Sequence, residues 1–188
     1  MLGSSFSVVL AAAVGGDERA FAALWDDLNP VVLRYLRVMV PEAAEDVASE
    51  TWLEVVRGLG RFHGDETGFR SWLFTIARHR AVDHHRRRAH RPSVPVPGET
   101  LTTWPTADAD DPANRAVEAL STKEVLAVIA QLPPDQAEVV ALRVVAGLDV
   151  ERVSQIVGKR PGAVRVLAHR GLRRLAERME RLPEGKGV

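Results

Sequence analysis

The stretch 93–112 (SVPVPGETLTTWPTADADDP) constrains the fold more than any other part of this 188-residue chain. It is rich in proline, threonine and aspartate, and its few apolar residues follow neither a helical nor a strand period. Such a composition favours a flexible linker over a packed element. The sequence therefore predicts two small units, 1–92 and 114–182, joined by a linker at 93–113 and followed by a short tail at 183–188.

Apolar residues on both sides of this linker recur at intervals of three and four, which is the period of an amphipathic helix. No run alternates apolar and polar residues between turn signals, so no strand is predicted. In the first unit we expect a helix over Phe6–Val14, a helix that ends at Asn29-Pro30, and a basic helix from about Phe69 to Arg88 after a loop at 60–68. The predicted fold class is all-α, with two small helical domains.

The segment 132–175 has the pattern of a helix-turn-helix. Asp149 can cap a short helix by accepting a backbone N–H, Gly158 suits the turn, and Pro161 suits the first position of the last long helix. The helical period predicts that this last helix buries Val164, Ala168, Leu172 and Leu175.

Basic side chains accompany two of the predicted helices. Arginine can bind guanine with two donors, whereas lysine and backbone N–H groups mainly hold phosphates, and aromatic rings can stack on unpaired bases. A solvated basic surface, or arginines attracted to the negative end of a helix, is the alternative interpretation. The candidates are Lys159, Arg160, Arg165, His169 and Arg170 for duplex DNA, and Phe62, His63, Arg78, Arg80, Arg86, Arg87 and Arg88 for unpaired DNA.

The formal net charge of +0 hides a division into blocks. Acidic residues prevail up to Phe69 and in the linker, and basic residues prevail over 70–91 and 159–181. Blocks of opposite charge indicate separate surfaces for separate partners. The chain has no cysteine, which excludes disulfides and makes the cytoplasm the expected location. The apolar stretch Phe6–Val14 is too short to span a bilayer, so no membrane insertion is expected.

His79, Asp83, His84 and His85 have a spacing that could ligate a metal, and Asp-His-His occurs in one class of metal phosphoesterases. Such an enzyme needs further Asp or His clusters in other loops, and none stands out in the sequence. No Gly-rich phosphate loop and no convincing nucleophile stands out either. We therefore expect no enzyme activity, metal, cofactor or small-molecule substrate, and metal analysis would detect the phosphoesterase alternative.

Five motifs in order resemble those of the extracytoplasmic-function (group 4) sigma factors, the small two-domain initiation factors of bacterial RNA polymerase within the sigma-70 family. Residues 45–53 (EDVASETWL) resemble the family's DLVQETFL segment. Residues 69–79 resemble FxxWLxxIARN, and 83–87 resemble its D--RR. Residues 132–143 resemble LPPxQRxVLxLR, and 147–165 resemble GLSxxEIAxxLGxSxGTVK. The match covers both units, with a variable linker between them.

The resemblance implies a sigma factor that directs promoter-specific transcription initiation with core RNA polymerase, in the cytoplasm and on the nucleoid. The first unit would be sigma region 2, which binds polymerase and recognises and melts the −10 promoter element. The second would be sigma region 4, whose helix-turn-helix reads the −35 element in the major groove. An anti-sigma factor is implied as a further partner.

The site residues that the resemblance implies fall into three sets. They are Asp46, Val47, Glu50, Thr51, Trp52 and Val55 for polymerase; Phe62, His63, Arg78, His79, Asp83, Arg86, Arg87 and Arg88 for the −10 element; and Lys159, Arg160, Pro161, Gly162, Ala163, Arg165, Val166, His169, Arg170 and Arg173 for the −35 element.

Several positions depart from the family's pattern. Ser49 replaces the usual glutamine, Trp52 the phenylalanine, His79 the asparagine and Ala163 the threonine. Promoter preferences are therefore not carried over from relatives. A helix-turn-helix regulator with a sensor domain is the alternative function. It predicts a ligand pocket or dimer face in residues 1–90 and tight binding to DNA alone, whereas a sigma factor binds DNA weakly without polymerase.

Overall fold

The computed structural model describes residue 2 and residues 5–89 and 123–179, so the predicted linker at 93–113 and the tail at 183–188 lie outside the described residues. Every regular element in the described ranges is a helix, which confirms the all-α prediction. A 3₁₀ turn, Pro41–Ala43, precedes α3, and a π-helical turn, Ala141–Val145, extends α6. The helices are α1 (Phe6–Val14), α2 (Glu18–Met39), α3 (Ala44–Leu59), α4 (Glu66–Ala89), α5 (123–130), α6 (Pro134–Val140), α7 (Val150–Val157) and α8 (Pro161–Met179).

Helix α2 runs without a break across Pro30, where the sequence predicted that a helix would end. Proline lacks the N–H that would bond one turn back, which destabilises a helix. Leu24 and Leu28 before it and Val32 and Leu36 after it are nonetheless 0% exposed. Their spacing of four places them on one face of a single helix, and burial of that face offsets the missing bond. The predicted break was therefore wrong.

Helix α4 begins at Glu66, earlier than the sequence predicted, because Asp65 caps it. Oδ1 of Asp65 accepts a hydrogen bond from the Gly68 N–H at 2.7 Å, as an N-cap side chain does. The helix then carries Phe69 and Phe74 into the core of the first unit. Phe69 lies 6.0 Å from Phe6 of α1, and Phe74 meets Tyr35 of α2 edge-on at 5.4 Å.

The helix-turn-helix forms as its sequence signals predicted. Asp149 Oδ1 accepts the Arg152 N–H at 2.7 Å, Gly158 adopts a left-handed φ of 67°, and α8 begins at Pro161. The prediction that α8 buries Leu172 was wrong, since this side chain is 43% exposed. Gly171 faces α6 instead, and without a side chain there the two helices approach closely.

Replacing Gly171 by alanine is expected to lower the free energy of unfolding of the second unit by about 1–3 kcal/mol. A Cβ at this position would lie 2.6 Å from Cγ2 of Val140, so α8 must move away from α6. The better helix propensity of alanine, worth about 1 kcal/mol, offsets only part of this cost. Gly162→Ala is the matched control in the same helix, because its Cβ would meet nothing within 4 Å. Equal melting temperatures of the two variants, followed by circular dichroism, would contradict the expectation.

The two units also pack against each other. Helices α2 and α4 of the first unit contact α6, α7 and the π-helical turn of the second. This contact buries part of α2 and α4 that the first unit alone would leave exposed, and it bears on the site described next.

Candidate protein and nucleic-acid interfaces

Helix α3, where the polymerase contact was predicted, has a buried and an exposed face. Val47, Thr51, Trp52 and Val55 are between 0% and 6% exposed and belong to the core, with the Trp52 indole N–H donating to Asn29 Oδ1 at 3.0 Å. Four of the six predicted polymerase-binding residues therefore position the helix and do not lie on its surface. The spacing of 47, 51 and 55 is one helical stripe, and this signal was present in the sequence.

The exposed face of α3 carries a second stripe, which we call the α3 stripe: Asp46, Ser49, Leu53 and Val56. These positions are spaced by three and four residues, so their side chains are neighbours on one side of the helix. Leu53 is 56% exposed and Val56 is 54% exposed. Two large apolar side chains on a helix surface beside a carboxylate suit a protein partner. The sequence analysis assigned no role to Ser49, Leu53 or Val56.

The basic end of α4 lies against carboxylates of α3 and of the 3₁₀ turn. Arg80 bonds Glu54, Arg88 bonds Glu42, and Arg87 Nη2 lies 3.0 Å from Glu50 Oε2. Two predicted surfaces thus meet at the Glu50–Arg87 pair, one proposed for protein and one for DNA.

Proton equilibria at this junction reflect the ion pairs. The hydrogen bond from Arg87 lowers the pKa of the Glu50 carboxyl, and the same bond raises the pKa of Arg87. At Glu42, burial opposes ionisation, but a backbone hydrogen bond and Arg88 together lower the pKa below its usual value. These groups are therefore charged at neutral pH. Exposed ion pairs of this kind are weak, so arginine can exchange a carboxylate for a phosphate.

A polar cleft of about 470 Å³ opens on α4, above the Arg80–Glu54 pair. Four of the predicted −10 residues line it, and two arginines and a histidine among them give it a basic wall that suits a phosphate backbone. The residues that line the cleft are Glu54, Arg78, His79, Arg80, Val82, Asp83 and Arg86.

The aromatic residue predicted to stack on DNA bases already has protein partners. Phe62 is half-buried, stacks on Trp72 with ring centres 5.2 Å apart, and meets Phe69 edge-on at 5.4 Å. His63 beside it is exposed. The loop before α4 thus offers His63 directly to solvent, while Phe62 is positioned by the aromatic pair beneath it.

Arg78, a predicted −10 residue, is engaged by the other unit. Its Nε donates to Glu138 Oε1 of α6 at 2.7 Å, and the Glu138 side chain is 9% exposed. Arg78 therefore differs from Arg86 and Arg88, whose side chains are 74% and 66% exposed.

The histidines of the metal alternative have other neighbours. A ring nitrogen of His85 lies 2.9 Å from the Met39 carbonyl oxygen, and His84 Nε2 lies 3.7 Å from Glu42. Asp83 lies 3.8 Å from Arg86. Among residues 5–89 and 123–179, no group of three or more metal-ligating side chains is placed to hold an ion.

Helix α8 presents the predicted −35 residues on its outer side. Pro161, Gly162, Ala163, Arg165 and Val166 are all exposed in its first two turns. Exposure continues along the same helix at His169, Arg170 and Arg173, while Arg160 just before the helix is exposed and Lys159 is half-buried. A basic helix that begins at a tight turn and leaves its N-terminal half free can enter a major groove.

Intramolecular carboxylates neutralise part of this surface. Arg165 lies 3.0 Å from Glu151 of α7, Lys159 lies 3.1 Å from Asp135 of α6, and Arg173 lies 3.5 Å from Glu177. The first of these pairs is exposed on both sides, so solvent or DNA can compete for the arginine.

Comparisons with known proteins agree with this geometry. Residues 24–91 match the family described as Sigma-70 region 2, and residues 122–175 match Sigma-70, region 4. The chain is 36% identical over 183 residues to the ECF RNA polymerase sigma factor SigD of Mycobacterium tuberculosis, covering 94% of this chain and 85% of that protein.

Two solved structures share the fold. CnrH, solved in complex with the cytosolic domain of CnrY, matches with a TM-score of 0.64 and 20% identity, over 95% of this chain and 99% of that one. RpoE of Bartonella quintana, solved with the anti-sigma factor NepR, matches with a TM-score of 0.62 and 22% identity, over 84% and 97%. Within the described residues, no helix has the length and apolar character needed to cross a membrane.

Proposed function

The chain belongs to the extracytoplasmic-function branch of the sigma-70 family of RNA polymerase sigma factors, and we propose how its surfaces divide the work of promoter-specific initiation. Region 2 occupies 1–92 and region 4 occupies 114–182, with 93–113 as the tether and 183–188 as a tail. The observation that carries the proposal is the order of surfaces along the chain: a protein-binding stripe on α3, a basic cleft on α4 and a basic recognition helix, α8.

Core polymerase binds the α3 stripe. The apolar pair Leu53 and Val56 supplies buried area, and Asp46, with Glu50 beside the stripe, supplies charge for orientation. Val47, Thr51, Trp52 and Val55, which the sequence analysis included in this contact, act from beneath by fixing the helix.

The −10 element binds along the cleft of α4 and the loop before it. Arg86, Arg87 and Arg88 hold phosphates of the strand, and His79 and Asp83 reach the bases from the cleft. His63 lies at the entrance, and Phe62 supports the loop through its stack on Trp72. Exchange of Glu50 for a phosphate at Arg87 links strand binding to the helix that holds polymerase.

The −35 element is read by α8 in the major groove. Arg165, His169 and Arg170 face base edges and nearby phosphates, while Lys159, Arg160 and the N–H groups at Gly162 and Ala163 hold the backbone. Val166 offers an apolar contact for a thymine methyl group, and Arg173 reaches phosphates farther along.

An anti-sigma factor controls the chain by covering the α3 stripe. The structural neighbour from Bartonella quintana was solved with such a partner. The exposed pair Leu53 and Val56 is a suitable contact for an apolar helix. The chain itself performs no chemistry, since the polymerase forms the phosphodiester bonds, and it acts in the cytoplasm with that enzyme.

In vitro transcription tests the proposal. The purified chain is added to sigma-free core polymerase on fragmented host DNA, and the 5′ ends of the transcripts are sequenced. We expect discrete start sites that share two upstream elements and that disappear when the chain is omitted. Absence of transcripts, combined with tight binding of the chain alone to specific duplexes, would favour the helix-turn-helix regulator instead.

A further inference from the structure

A polar contact joins region 2 to region 4 in the interior of the molecule. Arg78 of α4 and Glu138 of α6 form its centre, with Nε and Oε1 2.7 Å apart. Tyr35 of α2 lies beside them and is 0% exposed. At the edge of the same contact, Arg70 Nη2 donates to the carbonyl oxygen of Ala146 at 3.3 Å.

The charge on Glu138 makes the contact depend on both partners. A carboxylate that is 9% exposed has lost most of its water, and Arg78 is the cation that compensates for the loss. Removing one partner of such a pair leaves an uncompensated charge, which is costly. The ion pair is therefore a condition for the two regions to stay together.

The contact lacks the full satisfaction of polar groups that a permanent core has. Within the described part of the chain, the buried Tyr35 hydroxyl has no hydrogen-bond partner. Burial raises the pKa of Tyr35, and the negative charge of Glu138 adds to this effect. Buried groups of this kind regain hydrogen bonds to water when an interface opens.

Promoter binding requires the regions to separate. About 25 base pairs lie between the centres of a −10 and a −35 element, or roughly 85 Å at 3.4 Å per base pair. Residues 90–122 could reach at most about 110 Å when fully extended, which is enough for that distance. A chain closed by the Arg78–Glu138 pair cannot span it, and its Arg78 is unavailable to DNA.

We propose that the Arg78–Glu138 pair is a latch that holds the free chain closed, covering part of the −10 face while the −35 helix stays exposed. The inference rests on the proposed function, because it assigns Arg78 to the −10 face. Opening is then favoured by partners that bind the separated regions, namely core polymerase and promoter DNA. The free chain is biased against −10 binding, whereas its affinity for −35 duplex is unaffected.

The absence of cysteine allows the latch to be tested in the full chain with two introduced labels. Exposed positions Ala22 of α2 and Gln155 of α7 are replaced by cysteine and spin-labelled, and the distance distribution is measured by pulsed electron resonance. We expect one short, narrow distribution for the parent. Glu138→Gln should raise the ratio of open to closed chain by roughly tenfold or more. Glu177→Gln, which removes the exposed pair with Arg173, is the matched control and should leave the distances unchanged.

Binding of two DNA probes by the chain alone gives a second readout. Glu138→Gln should bind a forked −10 probe roughly tenfold more tightly than the parent and bind a −35 duplex equally well. If circular dichroism shows that this variant no longer melts cooperatively, Arg70→Gln takes its place, with the same direction and a smaller shift. Unchanged distances in the folded variants, or a broad distribution in the parent, would overturn the latch.

In vitro transcription separates this result from the proposed function. Transcripts from the parent together with unchanged distances in Glu138→Gln would overturn the latch alone. A variant that opens while neither it nor the parent gives transcripts would support the latch as a conformational contact and overturn the proposed function.

Discussion

Glutamates in place of Leu53 and Val56 are expected to weaken binding to core RNA polymerase at least about a hundredfold. Each side chain is more than half exposed, so a partner that covers it removes apolar surface worth about 1 kcal/mol. A glutamate at either position brings an unpaired charge into the contact, at a further cost of about 1–3 kcal/mol. The sum is roughly 3 kcal/mol or more, which is a factor of at least about a hundred in Kd.

The fold should survive these substitutions, because neither side chain belongs to the core. A titration of fluorescently labelled chain with core polymerase measures Kd, and circular dichroism checks the helix content. Val8→Glu with Ala22→Glu is the matched control, since it adds two charges at exposed positions of α1 and α2. A Kd within threefold of the parent would mean that polymerase does not bind the α3 stripe.

The buried and exposed faces of α3 illustrate what the sequence could predict about a site. The sequence located this helix and its role by resemblance, but it did not divide the residues between core and surface. The apolar residues lie on both faces: Val47 and Val55 inside, Leu53 and Val56 outside. Hydrophobicity alone does not separate these pairs, and only the packing of α3 against α2 and α4 does.

Local signals gave the helix-turn-helix accurately because each depends on a few neighbouring residues. The cap at Asp149, the left-handed turn at Gly158 and the helix start at Pro161 are all set within one turn of chain. The continuation of α2 through Pro30 depends on tertiary burial of both halves. For the same reason, no pattern in the sequence pointed to the Arg78–Glu138 contact, whose partners are sixty residues apart.

Replacing Arg165 by alanine is expected to reduce transcription from a −35-dependent promoter by roughly tenfold to a hundredfold. The side chain is 60% exposed near the start of α8, where the recognition helix of a helix-turn-helix meets base edges. Loss of a two-pronged contact to guanine costs about 1–3 kcal/mol. Its present partner, Glu151, is 62% exposed, so the ion pair opposes DNA binding only weakly.

Three comparisons make the result specific to reading of the −35 element. Arg165→Ala should have no further effect on a promoter whose −35 element has been scrambled, because the contact that it removes is already absent. Arg19→Ala removes one exposed cation from the first turn of α2 and should leave transcription unchanged. Glu151→Gln frees Arg165 and removes a negative charge near the phosphates, so it should maintain or raise transcription. An equal loss on the intact and the scrambled promoter would instead mean that Arg165 contributes only charge, because phosphate contacts weaken binding to all sequences alike.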